Sequence, residues 1–103
     1  MEFVLYEQKG QYAIITINRE KALNALNSAV LDELDKTLDS VDLDQVRCLI
    51  LTGAGQKSFV AGADISEMVN FTAAEARAFG MRASVPFFKL MNMRQVTIAA
   101  VNG

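Results

Sequence analysis

The stretch from Leu51 to Met68 limits what this chain can fold into more than any other. It reads Leu-Thr-Gly-Ala-Gly-Gln-Lys-Ser-Phe-Val-Ala-Gly-Ala-Asp-Ile-Ser-Glu-Met. An apolar run of strand type, Val46 and Cys48 to Leu51, leads into it and ends at Gly53. The loop that follows is small and polar apart from Phe59 and Val60, and helix signals begin at Asp64. A strand, a backbone-exposing loop and a helix start form an α/β arrangement that offers N–H groups to an anion.

Spacing separates three uses of such a loop. A dinucleotide fingerprint needs G-x-G-x-x-G, and Gly53 and Gly55 supply two glycines while Ser58 occupies the third position. A phosphate-cradling loop needs Gly-Lys-Ser, but Gln56 precedes Lys57 and Ser58, and Leu51 stands where the first glycine belongs. An oxyanion hole asks only for a backbone N–H aimed at a carbonyl oxygen that gains charge. Asp64 and Glu67 have D-x-x-E spacing, which predicts a capping box on a short helix from Ile65, with Ala63 just before its positive end. Gly62 lets the backbone turn, and the small side chains of Ala61, Gly62 and Ala63 leave room for a ligand. A tight turn ahead of a capped helix explains the same residues without a ligand.

Composition removes several classes of function. A chain of 103 residues is one domain at most, and 51% hydrophobic residues mark it as globular. A net charge of −2 gives no basic field, so no nucleic-acid partner is expected. With no histidine and one cysteine, Ser-His-Asp and Cys-His catalysis and ordinary zinc sites are excluded, leaving carboxylates, lysine and backbone. Cys48 is expected to be a buried, inert thiol. No uncharged run approaches membrane-spanning length, and Glu2 with no basic region does not open a signal peptide. A cytoplasmic location is the simplest expectation.

Phe3–Glu7 and Tyr12–Ile17, separated by Lys9-Gly10, predict an antiparallel hairpin, with the second strand apolar enough for burial on both faces. Asn27 or Ser28 is a candidate cap for a helix whose core stripe is Leu26, Val30, Leu31, Leu34, Leu38 and Val41. Asp32, Glu33, Asp35, Lys36 and Asp39 are expected to face water. Strand, helix, then the strand at Val46–Thr52 predicts a parallel crossover. Thr72-Ala-Ala-Glu75 is a second capping box, ahead of a long helix with Phe71, Ala74, Ala78, Met81, Val85 and Phe88 as its expected core stripe. Pro86 falls inside that helix and should kink or divide it. Gln95–Val101 reads as a last, buried strand. The fold class expected is α/β, a hairpin feeding a parallel sheet.

Three motifs carry a resemblance to a known family. Asn18-Arg-Glu-Lys-Ala-Leu-Asn-Ala-Leu-Asn27, Ser58-Phe-Val-Ala-Gly-Ala-Asp-Ile-Ser-Glu-Met68 and Ile98-Ala-Ala-Val-Asn-Gly103 come in order across nearly the whole chain. Together they closely resemble the crotonase (enoyl-CoA hydratase/isomerase) family. The resemblance implies the N-terminal part of a spiral of ββα turns, as an incomplete domain over residues 1–103. It implies an acyl-CoA thioester as substrate, no cofactor and no metal, and a lyase that reversibly hydrates short-chain 2-enoyl-CoA thioesters. Ala63 would supply one oxyanion N–H. Lys21, Ala22 and Leu23 would flank the coenzyme, and Ala61, Gly62, Asp64 and Ile65 would border its path. Glu20 and Val96 replace prolines usual in the family.

The same resemblance places a second oxyanion glycine and two catalytic glutamates beyond Gly103, so the 103-residue chain alone is expected to be inactive. One missing oxyanion donor is worth about 3–4 kcal/mol of transition-state stabilisation, and each missing acid/base group a further ~100- to 10,000-fold. A non-catalytic acyl-CoA-binding module and an enoyl-CoA isomerase remain alternatives. The last strand, Val96–Val101, leaves backbone groups and apolar surface without cover, so a homo-oligomer, or association with the missing C-terminal part, is expected.

Overall fold

Strand β1 (Val4–Lys9) turns at Gly10 and returns antiparallel as β2 (Tyr12–Ile17), in the register Val4↔Ile17 to Lys9↔Tyr12. A computed structural model describes residues 2–103. Helix α1 (Ser28–Ser40) then leads to β3 (Cys48–Gly53), which pairs parallel to β2 with Ile17 opposite Gly53. A four-residue helix α2 (Ile65–Met68) and the long α3 (Ala73–Asn92) precede β4 (Val96–Ala99), parallel to β3. The sheet order β1-β2-β3-β4 is the α/β arrangement expected from the sequence.

The core lies between the sheet and α1. Asn27 caps α1 by accepting the Val30 N–H at 2.9 Å. The apolar stripe of that helix then covers alternate residues of the strands, so Ala13, Ile15, Ile17 and Leu49 are buried with Val30, Leu34, Leu38, Val41 and Val46. On β2 the burial alternates: Ile14 and Thr16, on the opposite face, are only half-buried. Two-faced burial of β2 is therefore corrected, because among the described residues helices cover one face of the sheet. Cys48 is likewise half-buried, not fully enclosed. All four residues of β4 are exposed, which corrects the buried strand expected there; β3 is its one neighbour in the sheet.

Helix α3 is not divided at Pro86. It runs unbroken from Ala73 to Asn92 through Pro86. Pro86 cannot donate to the Arg82 carbonyl, yet its ring is fully buried at α1 beside Leu31. Ion pairs bracket it: Arg82 with Asp32, and Lys89 with Asp35 and Asp39, the last at 2.8 Å. These contacts hold the helix on both sides of the missing hydrogen bond. The same contacts correct the expectation that the acidic face of α1 meets only water.

The packed face of α3 also differs from the one expected. Phe79 and Pro86 are buried, and Phe87, Leu90 and Met93 pack against the core. The expected stripe lies mostly outside, with Met81 66% and Phe88 57% exposed, although the Phe71 ring approaches that of Phe79 at 5.8 Å. The Thr72–Glu75 capping box forms in both directions, at 3.0 and 3.2 Å.

Candidate functional site

The candidate site is built where β2 and β3 end. Because these strands are parallel and in register, the loops that leave Ile17 and Gly53 emerge side by side at one edge of the sheet, the usual place for ligands in open α/β sheets. The first loop makes a tight turn at Glu20–Ala22 and passes through two left-handed residues, Leu23 (φ 54°) and Asn24 (φ 58°). The second crosses residues 54–64. The Ala54 N–H donates to the Ile17 carbonyl at 2.8 Å and ties their beginnings together.

Farther out the two loops pair like strands. The Ala61 N–H donates to Leu23 O (3.1 Å), the Leu26 N–H to Gly62 O (2.8 Å), and the Asp64 N–H to Leu26 O (2.8 Å). Leu26 and Ala63 thereby form an isolated parallel bridge. A parallel bridge of this form takes the carbonyl before Ala63 and the N–H after it, so the Ala63 N–H points away from Leu26. Among the described residues it has no acceptor, and Ala63 is exposed.

The expected capping box at α2 is corrected. Asp64 does cap the helix, accepting the Ser66 N–H at 3.0 Å and its hydroxyl at 2.6 Å. Glu67 does not reach back to it. Its carboxylate instead accepts the Ser28 N–H (3.0 Å) and hydroxyl (3.0 Å) at the first turn of α1, where negative charge suits the helix end. The Asp64 N–H is already taken by Leu26 O, which leaves Glu67 to the nearer unsatisfied donors.

Arg19 braces the same corner, donating to Asp64 Oδ2 at 2.8 Å and Ala25 O at 3.1 Å. Hydrogen bonds from Ser66, and then Arg19, hold the Asp64 carboxyl down at about 2. Its contribution to stability is therefore complete above the unfolded value of about 4 and is lost as pH falls through about 2. Urea unfolding of Asp64→Asn and the parent across that window is expected to show a flatter acid limb for the variant. An unchanged limb would remove Asp64 from the pH dependence.

The expected ligand-facing residues divide into two groups. Leu23, Ala61, Gly62, Ala63 and Asp64 are brought together along the paired loops, and Ile65 follows as the first residue of α2. Lys21 and Ala22 line a cleft of about 410 Å³ with Phe3, Asn18, Arg19 and Glu20. Lys21 and Lys57 are exposed and, among the described residues, carry no carboxylate partner. Glu67 and Glu75 are both engaged at helix starts. Among the described residues no cluster of three His, Cys, Asp or Glu could hold a metal ion, and no helix is long and apolar enough to cross a membrane.

Asn24, Arg19 and Asn102, which hold the loops, went unrecognised in the sequence. The signal available was weak: Asn24 sits in a small-residue loop and belongs to a residue type that tolerates a left-handed backbone.

The profile described as Enoyl-CoA hydratase/isomerase matches residues 7–103. The chain belongs to that family. The Short-chain-enoyl-CoA hydratase of Clostridium acetobutylicum is 50% identical over 101 residues, covering 97% of this chain and 39% of that relative. The Crotonyl-CoA hydratase of Syntrophomonas wolfei is 46% identical over 103 residues, covering 99% and 40%. The crystal structure of an enoyl-CoA hydratase from Bacillus anthracis matches with a TM-score of 0.93 at 31% identity, over 99% of this chain and 40% of that one. This family member thus spans about two fifths of the length of the relatives it matches.

Proposed function

We propose that the chain contributes half of an oxyanion hole to a lyase that reversibly hydrates short-chain 2-enoyl-CoA thioesters. Addition of water places hydroxyl on C3 and a proton on C2. Between those events, electron density from the double bond passes onto the thioester oxygen. A pre-aimed N–H lowers the energy of that oxyanion more than that of the neutral carbonyl, which is what accelerates the step. The observation that carries the reading is the Ala63 N–H, without an acceptor among the described residues, on a segment held by the bridge to Leu26. Family membership and the names of the two bacterial relatives support the substrate class.

In this reading Ala61, Gly62, Asp64 and Ile65 border the acyl-CoA path, with Lys21, Ala22 and Leu23 along the coenzyme. Acyl-CoA is the substrate, and no cofactor takes part. The second N–H and the acid/base carboxylates come from residues outside this chain, since Glu67 and Glu75 are engaged at helix starts. Exposed Met81, Phe88, Met91, Val96 and Val101 support association with further copies or with the rest of a longer chain, and we place the protein in the cytoplasm.

Full-length protein mixed with crotonyl-CoA is expected to consume the conjugated enoyl thioester, followed by its ultraviolet absorbance, with 3-hydroxybutyryl-CoA as product. Saturable binding of acetoacetyl-CoA without turnover would favour the non-catalytic module. Migration of the double bond without water uptake would favour the isomerase.

A further inference from the structure

The loops of the site are joined by side-chain amides as well as by backbone. Asn24 is 1% exposed, unusual for a loop asparagine, and every polar atom of its side chain is used. Its Oδ1 accepts the Arg19 N–H at 2.8 Å, while Nδ2 donates to Ala54 O at 3.0 Å and Ser58 O at 2.9 Å. From the other side Asn102 Nδ2 donates to Gly53 O and Gly55 O, both at 2.8 Å, and Oδ1 accepts the Gly53 N–H at 3.2 Å. Two carboxamides thus hold the carbonyls of Gly53, Ala54, Gly55 and Ser58.

Asn24 has the more direct link to Ala63. Its side chain fixes where the second loop starts, through Ala54 and Ser58. Its own loop then receives the outgoing part, through Leu23 O and the backbone of Leu26. Asn24 therefore fixes one end of the segment that carries Ala63, and its immediate neighbours in the same loop fix the other. Because all its hydrogen bonds are buried or half-buried, their loss leaves polar groups unsatisfied and frees the turn to shift.

We propose that Asn24 is a positioning residue that sets the direction of the Ala63 N–H. The proposal rests on the acyl-CoA reading for its consequence in catalysis, but not for its effect on the loop. A misplacement of about 1 Å in such a donor costs on the order of 100-fold in rate.

The test uses full-length protein carrying Asn24→Gly, which keeps the left-handed backbone and removes the clasp. In ligand-free protein the amides of Ala61 and Asp64 are expected to exchange at least about tenfold faster, while the Leu31 amide in α1 keeps its protection. With crotonyl-CoA, kcat is expected to fall about 10- to 100-fold with KM nearly unchanged, the pattern of a lost transition-state interaction. Unchanged exchange at Ala61 and Asp64 overturns the proposal. So does equal acceleration at Leu31, which would make Asn24 a general stabiliser, or a raised KM at constant kcat. Should Asn24→Gly not fold, Asn24→Ser removes the amide without adding a buried charge and is read the same way. A parent protein that leaves crotonyl-CoA untouched fails the acyl-CoA reading, and the exchange contrast then judges the placement of Ala63 by itself.

Discussion

Exchanging Ala63 for proline is expected to lower turnover of the full-length protein about 100- to 1,000-fold, the cost of one oxyanion donor. Proline removes one N–H and adds no charge. Since that N–H has no acceptor among the described residues, its loss breaks no hydrogen bond between them. The Gly62 carbonyl, which accepts from Leu26, is kept by the new peptide bond. Steady-state kinetics with crotonyl-CoA and a thermal melt, run on the same samples, separate the two effects. Full activity with an intact fold would remove Ala63 from the mechanism. Replacing the amide at this position by an ester, which also lacks the hydrogen, checks that the loss of rate does not come from the proline ring.

Gly53→Ala is expected to destabilise the protein by about 3 kcal/mol, near the upper end for overpacking. Gly53 ends β3 and has an ordinary backbone, so its need is for space. A Cβ there would collide with the Phe59 carbonyl oxygen and lie 2.7 Å from Ser58 O and 2.8 Å from Asn24 Nδ2. Two of those obstacles are backbone, and the third is the buried amide whose bonds span both loops. None gives way cheaply. For a domain of this size the melting temperature should fall by roughly 12 °C or more. A change of under about 0.5 kcal/mol in urea unfolding would show that the turn relaxes around the new methyl group.

Features that depend on neighbours three or four residues away were legible in the sequence. Asn27 and Thr72 cap the helices they precede, the Glu75 carboxylate closes its box, and the stripe from Val30 to Val41 faces the core. The hairpin and the parallel order of β2 and β3 followed from apolar patterning and the intervening helix. The glycine-rich stretch after β3, together with the three family-like motifs, marked out the loop that carries Ala63.

Tertiary structure decided every case in which a local rule had a distant competitor. Glu67 has capping-box spacing from Asp64, yet its partner is Ser28, 39 residues away, because Leu26 had already taken the Asp64 N–H. Helix α3 carries apolar residues on more than one face, and periodicity alone does not rank them. In the fold Phe79 and Pro86 turn inward while Met81 and Phe88 stay outside, and Arg82 and Lys89 meet Asp32, Asp35 and Asp39 across the same helix pair. Asn24 reads as an ordinary polar loop residue until the loops after β2 and β3 lie side by side. Only then do the carbonyls of Ala54 and Ser58, 30 and 34 residues along the chain, come within reach of its amide. The local sequence determines which groups need partners, whereas the packing of one element on another determines which partners are close enough to bond.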